Sequence, residues 1–376
     1  MKKSKHNGEV VVFLKNPIDP SSYFRIFQYL RSMKEVEFCS YTSDRVYQWY
    51  YNIGGNHRRT GQIKKVLKKG ILAFCGICHN TYQIYKYCNM DIKYVIVNRE
   101  IFPRIMPIYG TLLLKRLFHN KIVIWDFDDN IIENGEITNQ EVKLLNQYAD
   151  HIIVSNNYLK MILPQEISNK VQILYTTDKT FQDSDIRKYI EMREISYSEK
   201  IILIWVGSRD NLKYLVAILE QLEQAARELF ALTGKKLILW CISNGQIPEA
   251  FQWLEVQNIV WSRECTTELM KKAHIGLMPL QENEYTLGKA GFKAVQYISS
   301  GMPAIVSNVG YCKEVIEEGE NGYCIEHEDG WKDAILSLSM DYEKYVKFSY
   351  KARHLWEEKF NSDRNQRFWE EMIHIE

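Results

Sequence analysis

The sequence, 376 residues long, has eight prolines, no surplus of charge of either sign (48 Lys+Arg against 47 Asp+Glu) and no long apolar run. So few prolines beside 46% hydrophobic residues exclude a disordered or linker-like chain. Near-neutrality excludes a general nucleic-acid binder, because displacing counterions from phosphates needs a clear surplus of Lys and Arg. The longest apolar stretches, 70–78 and 201–207, fall far short of the roughly 18 residues that span a bilayer. The apolar run at 10–14, after the basic start, is too short for the core of a secretion signal. Eight scattered cysteines make no disulfide framework, and their apolar surroundings suit reduced thiols in the cytoplasm. Cys75-Gly-Ile-Cys78-His79 has the spacing of covalent haem attachment, but without an export signal and inside a helix-like segment it reads as chance. A structural zinc lacks a second ligand pair at suitable spacing.

What is present is alternation. Short β-branched runs at 10–14, 36–39, 94–98, 123–126, 151–155 and 171–175 predict strands, separated by amphipathic helices at 23–33, 62–88, 103–119, 139–148 and 157–163. From 176 to 199 the chain turns polar and reads as a crossing between domains. A second series predicts strands at 201–206, 236–241, 259–261, 275–279, 303–307 and 323–325, with helices at 211–229, 266–273, 289–300, 312–318 and 331–339. Such βα repetition specifies parallel sheets, so the expected fold class is α/β with two facing Rossmann-like domains, 1–180 and 181–360. A terminal helix at 361–376 carries Phe368 and Trp369, which need a surface to bury against; the first domain is the expected one. In doubly wound sheets ligands bind outside the carboxyl ends of the strands, so function is expected on those loops.

Two loops in the second half carry the clearest chemistry. After the strand ending at Val206, Gly207, Ser208 and Arg209 lead into a helix containing Lys213. Free backbone amides at a helix N-terminus attract anions, and the two cations reinforce this; a simple helix cap by Ser208, Asp210 or Asn211 is the alternative. In the second loop Gly288 is expected to open a helix whose first turns bear Lys289 and Lys293 on one face. Cations are unfavourable at that end, a conflict that a bound diphosphate resolves; lysines simply pointing to solvent are the alternative.

The run from Gly288 to Gly310, GKAGFKAVQYISSGMPAIVSNVG, resembles the donor-binding signature of retaining GT-B glycosyltransferases, especially bacterial enzymes of surface-polysaccharide assembly. Ser21 to Arg25, Asn98-Arg99-Glu100, Trp125 to Asp129, Ala149 to Asn156 and Trp205 to Ser208 are similar to the same pattern, in order along the chain. The resemblance implies a nucleotide-sugar donor held by the C-terminal domain through Gly207, Ser208, Arg209, Lys213, Gly288, Ala290, Gly291, Phe292 and Gln296. It further implies that Lys289 and Lys293 would stabilise the departing diphosphate, that no metal or other cofactor is needed, and that the nucleotide sugar is a substrate. Many relatives carry glutamates where Gly288 and Gln296 stand, and an arginine where Ser208 stands. Gln296 can still bond ribose hydroxyls, and Arg209 can substitute.

The resemblance places the acceptor on the N-terminal domain. An Asp-x-Asp after a strand is also a metal-binding pattern of the other large glycosyltransferase fold, but Asp126, Asp128 and Asp129 lie in the half without the phosphate-like loops. Asp126 is expected at an acceptor hydroxyl, with Asp128 and Asp129 orienting or capping; a structural turn is the alternative. Arg25 and Arg99 are expected to hold an anionic acceptor such as a lipid diphosphate, against internal ion pairs for Arg99. From Arg45 to Met90 there is no Asp or Glu, while Arg45, Arg58, Arg59, Lys64, Lys65, Lys68, Lys69 and Lys86 are interleaved with aromatics. That suits an anionic membrane surface, with a solvated helix face as the alternative. The expected protein is a cytoplasmic glycosyltransferase, peripheral at the inner membrane face, that uses a nucleotide sugar and a glycan or lipid-linked acceptor. The rivals are a nucleotide-sugar 2-epimerase and a non-catalytic sugar-nucleotide-binding subunit.

Overall fold

A computed structural model describes residues 9–51, 62–327 and 329–373. Arg58 and Arg59 lie outside the described residues, as do the side chains of Tyr51, Lys64 and Lys65. The chain forms two compact units, one from residues up to 175 together with those from 365 onward, the other from 176 to 364.

The first unit holds a six-stranded parallel sheet of β1 (Val10–Leu14), β2 (Val36–Ser40), β3 (Tyr94–Asn98), β4 (Ile122–Phe127), β5 (His151–Val154) and β6 (Val171–Ile173) in the order β2-β1-β3-β4-β5-β6. β1 and β3 are buried along their whole length, which is why they read as unbroken apolar runs and not as alternating ones. One face packs Val11, Phe13, Val95, Val97, Trp125 and Phe127 against helices. The other buries Val10, Val12, Ile96 and Ile124 together with Ile26, Tyr29 and Trp369. Trp369, on the last helix (Ser362–Met372), donates its indole N–H to the Arg25 carbonyl at 3.0 Å.

The second unit repeats the plan with β7 (Lys200–Val206), β8 (Lys236–Ile242), β9 (Leu254–Ile259), β10 (Ile275–Met278), β11 (Ala304–Ser307) and β12 (Gly322–Ile325), ordered β12-β11-β10-β7-β8-β9. Every register is parallel. The expected α/β architecture of two Rossmann-like sheets is therefore present, and in each sheet the strand order reverses once, beside β1 and β3 in the first and beside β7 and β10 in the second.

Some elements differ from expectation. The strand expected at 259–261 is β9, which alternates buried and exposed residues as an edge strand does, so its apolar content is diluted. The helix expected from 103 starts at Gly110, because Pro103 and Pro107 precede it and Arg104 has a left-handed φ of 64°. The crossing at 176–199 contains a helix, Ile186–Tyr197. Its core-facing stripe includes the fully buried Arg193, which donates to the carbonyls of Gly301 (2.8 Å), Met270 (2.9 Å) and Ser300 (3.1 Å).

Candidate active site

In the second unit the two loops singled out by sequence follow β7 and β10, the adjacent strands at which the order reverses. A ligand crevice forms at that point in open α/β sheets. Gly207 leaves β7, and a Cβ there would lie 2.5 Å from the outer edge of the Trp205 ring, so any side chain at this position would have to displace that ring. Ser208 is extended and is followed by a 3-10 turn, Arg209–Asn211, before the short helix Leu212–Ala217. Arg209 is exposed and donates to the Asn244 carbonyl at 3.2 Å, and the Lys213 ammonium lies 4.9 Å from the Tyr214 ring centroid.

The loop after β10 is built differently from expectation. Gly288 does not open a helix: it caps the end of Glu284–Leu287, whose start is fixed by a reciprocal Asn283–Thr286 capping box. The helix proper, Phe292–Ser299, starts after Gly291, which has a φ of 62° that glycine adopts without strain. Lys289 therefore belongs to the linker between two helices, and only Lys293 occupies the first helical turn. The Lys289 ammonium sits 4.6 Å from the Tyr285 ring centroid. Lys293 Nζ donates to Gln296 Oε1 at 2.9 Å, and Gln296 Nε2 donates to Asp178 Oδ2 at 2.7 Å. Each end of the buried Gln296 amide thus makes one bond within the protein, leaving one lone pair and one N–H for the ribose hydroxyls expected there. Burial pushes the Lys293 ammonium down to about 8; Asp178 opposes this and the nearby Lys289 adds to it. Asp178 also caps the turn Lys179–Phe181 through Thr180 N at 2.8 Å. No motif pointed to it, since it stands in the polar crossing, far from the loops it supports.

The first unit assembles carboxylates and two arginines after β3 and β4. A π-helical turn at Tyr23–Phe27 carries Arg25 inward, where its guanidinium is fully buried and pairs with Asp126 through Nη2 at 2.5 Å and Nε at 3.2 Å. It also donates to the Leu174 carbonyl. Burial works against its charge, but Asp126 outweighs that and leaves the Arg25 pKa raised. Asn98 Nδ2 donates to the other Asp126 oxygen at 3.0 Å. The structure therefore corrects two expectations: Arg25 holds Asp126 and has no open face for an anionic acceptor, and Asp126 is itself fully buried and locks the end of β4.

Arg99 is the second hub, at a left-handed φ of 68°. Its Nη1 reaches Asp128 Oδ1 at 2.9 Å and Asp129 Oδ2 at 3.3 Å, and its Nη2 reaches Glu136 Oε2 at 2.8 Å. Three carboxylates already balance this guanidinium, so an anionic head group is not its partner in this structure, and the internal ion pairs are the reading that fits. Asp128 also accepts from Ser21 Oγ at 2.6 Å. Burial, then the neighbouring Asp129, push the Asp128 carboxyl up to about 6. Burial pushes Glu100 up to about 8, with Arg99 opposing. Burial pushes Glu141 up to about 7 although it accepts from the backbone of Ile101 and Phe102, while Arg99 holds Glu136 down at about 2 against its own burial. In sequence Glu100 stands out only as part of the Asn98-Arg99-Glu100 run, while Glu136, late in the connection after β4, and Glu141, on the helix Asn139–Tyr148, carry no local signal. Among the described residues no group of three or more His, Cys, Asp or Glu side chains is arranged to hold a metal ion.

Residues 200–341 match the family described as Glycosyl transferases group 1. No curated protein matches the sequence. Among solved structures, HepE of Anabaena in complex with UDP-glucose superposes with a TM-score of 0.64 at 10% identity, over 97% of this chain and 99% of that one. A glycosyltransferase from Rickettsia africae gives 0.61 at 13% identity over 98% of each chain. The sucrose-phosphate synthase of Thermosynechococcus elongatus gives 0.60 at 10% identity over 97% of this chain and 98% of that one. At such identities the likeness is one of fold, the two Rossmann-like domains of GT-B proteins.

Proposed function

We propose, from the premise that residues 200–341 are a group 1 glycosyl transferase segment, that this chain moves a sugar from a nucleotide-diphosphate donor to a hydroxyl of a glycan or lipid-linked acceptor, with retention, in surface-polysaccharide assembly. The observation that carries the reading lies inside the matched segment: after β10, at the strand-order reversal of the sheet, Lys289 precedes the helix Phe292–Ser299 and Lys293 sits in its first turn, Lys293 donates to a neutral amide, and its charge is made costly by burial and by Lys289. A diphosphate removes that cost. When the bond from the sugar's anomeric carbon to the diphosphate breaks, negative charge grows on the phosphate oxygens, where two ammonium groups and the N-terminus of Phe292–Ser299 are most stabilising. These groups supply the countercharge for which other enzymes use a divalent cation, so the proposed reaction needs no resident metal.

The solved HepE complexes contain UDP and UDP-glucose, which makes a uridine nucleotide the first donor to try. On the acceptor side, the carboxylates around Arg99 favour a hydroxyl-bearing sugar, with Asp129, the most open of them, nearest to solvent. The test is incubation with UDP- and GDP-sugars, EDTA and lipid-diphosphate oligosaccharides, with the product read by proton NMR. Transfer with the donor's anomeric configuration supports the proposal. An inverted product overturns retention, and an epimerised nucleotide sugar formed without acceptor overturns transfer.

A further inference from the structure

We propose that the first unit docks on an anionic lipid surface through a face shared by the helices Gln62–Cys88 and Gly110–Phe118. This deepens the reading above, resting on it for a lipid-linked acceptor but not for its evidence. Leu67, Ile71, Phe74, Cys78, Tyr82 and Tyr85 recur every three or four residues, so they form one stripe along about five turns, and all six are exposed. Asn80, Ile84 and Tyr87 form a separate, buried stripe. A surface helix ordinarily has one apolar face and turns it inward; this one has a second, and Phe74 on it is 71% exposed.

The neighbouring helix extends the patch. The hydroxyls of Thr81 and Tyr109 are 3.3 Å apart and Arg116 donates to Asn89 Oδ1 at 3.2 Å, which sets the start of Gly110–Phe118 beside the turn bearing Cys78 and Tyr82. There Leu112 is largely exposed and Ile108 completely so.

Charge selects the occupant. Residues 62–88 contain five lysines and no Asp or Glu, and residues 101–125 contain Arg104, Lys115, Arg116 and Lys121 and again no acid. Protein interfaces are depleted of lysine, and a second copy would oppose this basic face with itself. An anionic bilayer surface accepts both the apolar stripe and its cations. Lys68, 4.9 Å from the Trp49 ring centroid, is the cation and amphipathic ring pairing that suits such an interface.

Flotation with vesicles of equal phosphatidylglycerol and phosphatidylcholine, and with phosphatidylcholine alone, tests this. The wild type is expected to float with the anionic vesicles only. Lys115→Glu with Arg116→Glu, both on the Leu112 side of their helix, should weaken partition at least about thirtyfold, the factor given by two basic residues at about 1 kcal/mol each. Phe74→Ser with Leu112→Ser should also reduce it. All four side chains are exposed, and an unchanged melting temperature verifies folding. Absence of wild-type flotation, or flotation of both variants equal to that of the wild type, overturns the proposal. So does concentration-dependent self-association abolished by Phe74→Ser with Leu112→Ser, which assigns the face to a second copy. UDP titration without vesicles reports separately on the donor reading.

Discussion

Lys293 provides a prediction whose size can be worked out. Burial moves its ammonium from the ordinary 10.5 to about 8, with Lys289 contributing and Asp178 opposing. That difference corresponds to about 3 kcal/mol at most for carrying the charge in the empty site, and less where solvent reaches the half-buried side chain. A bound diphosphate compensates the charge and returns the pKa toward its ordinary value. UDP affinity should therefore be flat below about pH 8 and then fall by up to tenfold per pH unit, because binding then requires uptake of a proton. The phosphates do not contribute to this slope, since their second ionisation is complete well below pH 8 (pKa of about 6). Lys293→Met should bind more weakly throughout and lose the slope, and subtracting its curve removes any ionisation of the base. Linkage gives a companion sign: the unfolded chain keeps this proton up to pH 10.5 and the folded one loses it near 8, so the unliganded protein should gain stability across that window. Calorimetric titration from pH 7 to 9 measures the binding. A flat wild-type curve, or the same slope in Lys293→Met, refutes the reasoning.

Three further expectations concern the supports of the site. Arg25→Met strands the buried Asp126 carboxylate and should cost about 3–5 kcal/mol in urea unfolding; a loss below about 1 kcal/mol would mean that the pair is not the clamp described here. Gly291→Ala forces a left-handed residue and brings a Cβ within 3.2 Å of Val315, so it should cost about 1–2 kcal/mol and weaken UDP binding, read by the same two assays. Glu100→Gln should be near-neutral at pH 5 and stabilising by about 1–3 kcal/mol at pH 7.5: the wild-type carboxyl keeps its proton up to about 8 when folded and only to 4.5 when unfolded, so wild-type stability drains away between those values. Urea curves showing no change with pH in the difference between the two proteins would contradict this.

Much of the architecture was legible because parallel strands buried on both faces leave continuous apolar runs. β1 and β3 came out at the predicted bounds for that reason. β9 was placed several residues late, at 259–261, because an edge strand shares its residues with solvent, and Ile186–Tyr197 escaped because a buried arginine interrupts its apolar stripe. The second-unit loops do follow β7 and β10, because an apolar run that stops at a glycine or proline marks a strand's end in sequence. What could not be read was the partner of each polar group. Gln296 is held by Asp178, 118 residues away, and Arg25 by Asp126, 101 residues away; no local pattern encodes a contact made by the fold. For the same reason a sequence-adjacent arginine looked like an open anion site when the sheet had already supplied its carboxylate.

The central claim is that the loops after β7 and β10 hold a nucleotide diphosphate sugar without a metal. Its most direct test is calorimetric titration of UDP, GDP and their sugars into the wild type and into the Lys289→Ala, Lys293→Ala double variant, with and without EDTA. The expected result is binding of one nucleotide class, unaffected by EDTA, and weakened about a hundredfold or more by removing both lysines, at about 1.5–3 kcal/mol for each charge-assisted contact. Equal binding by the double variant, or no binding of any nucleotide by the wild type, would contradict it.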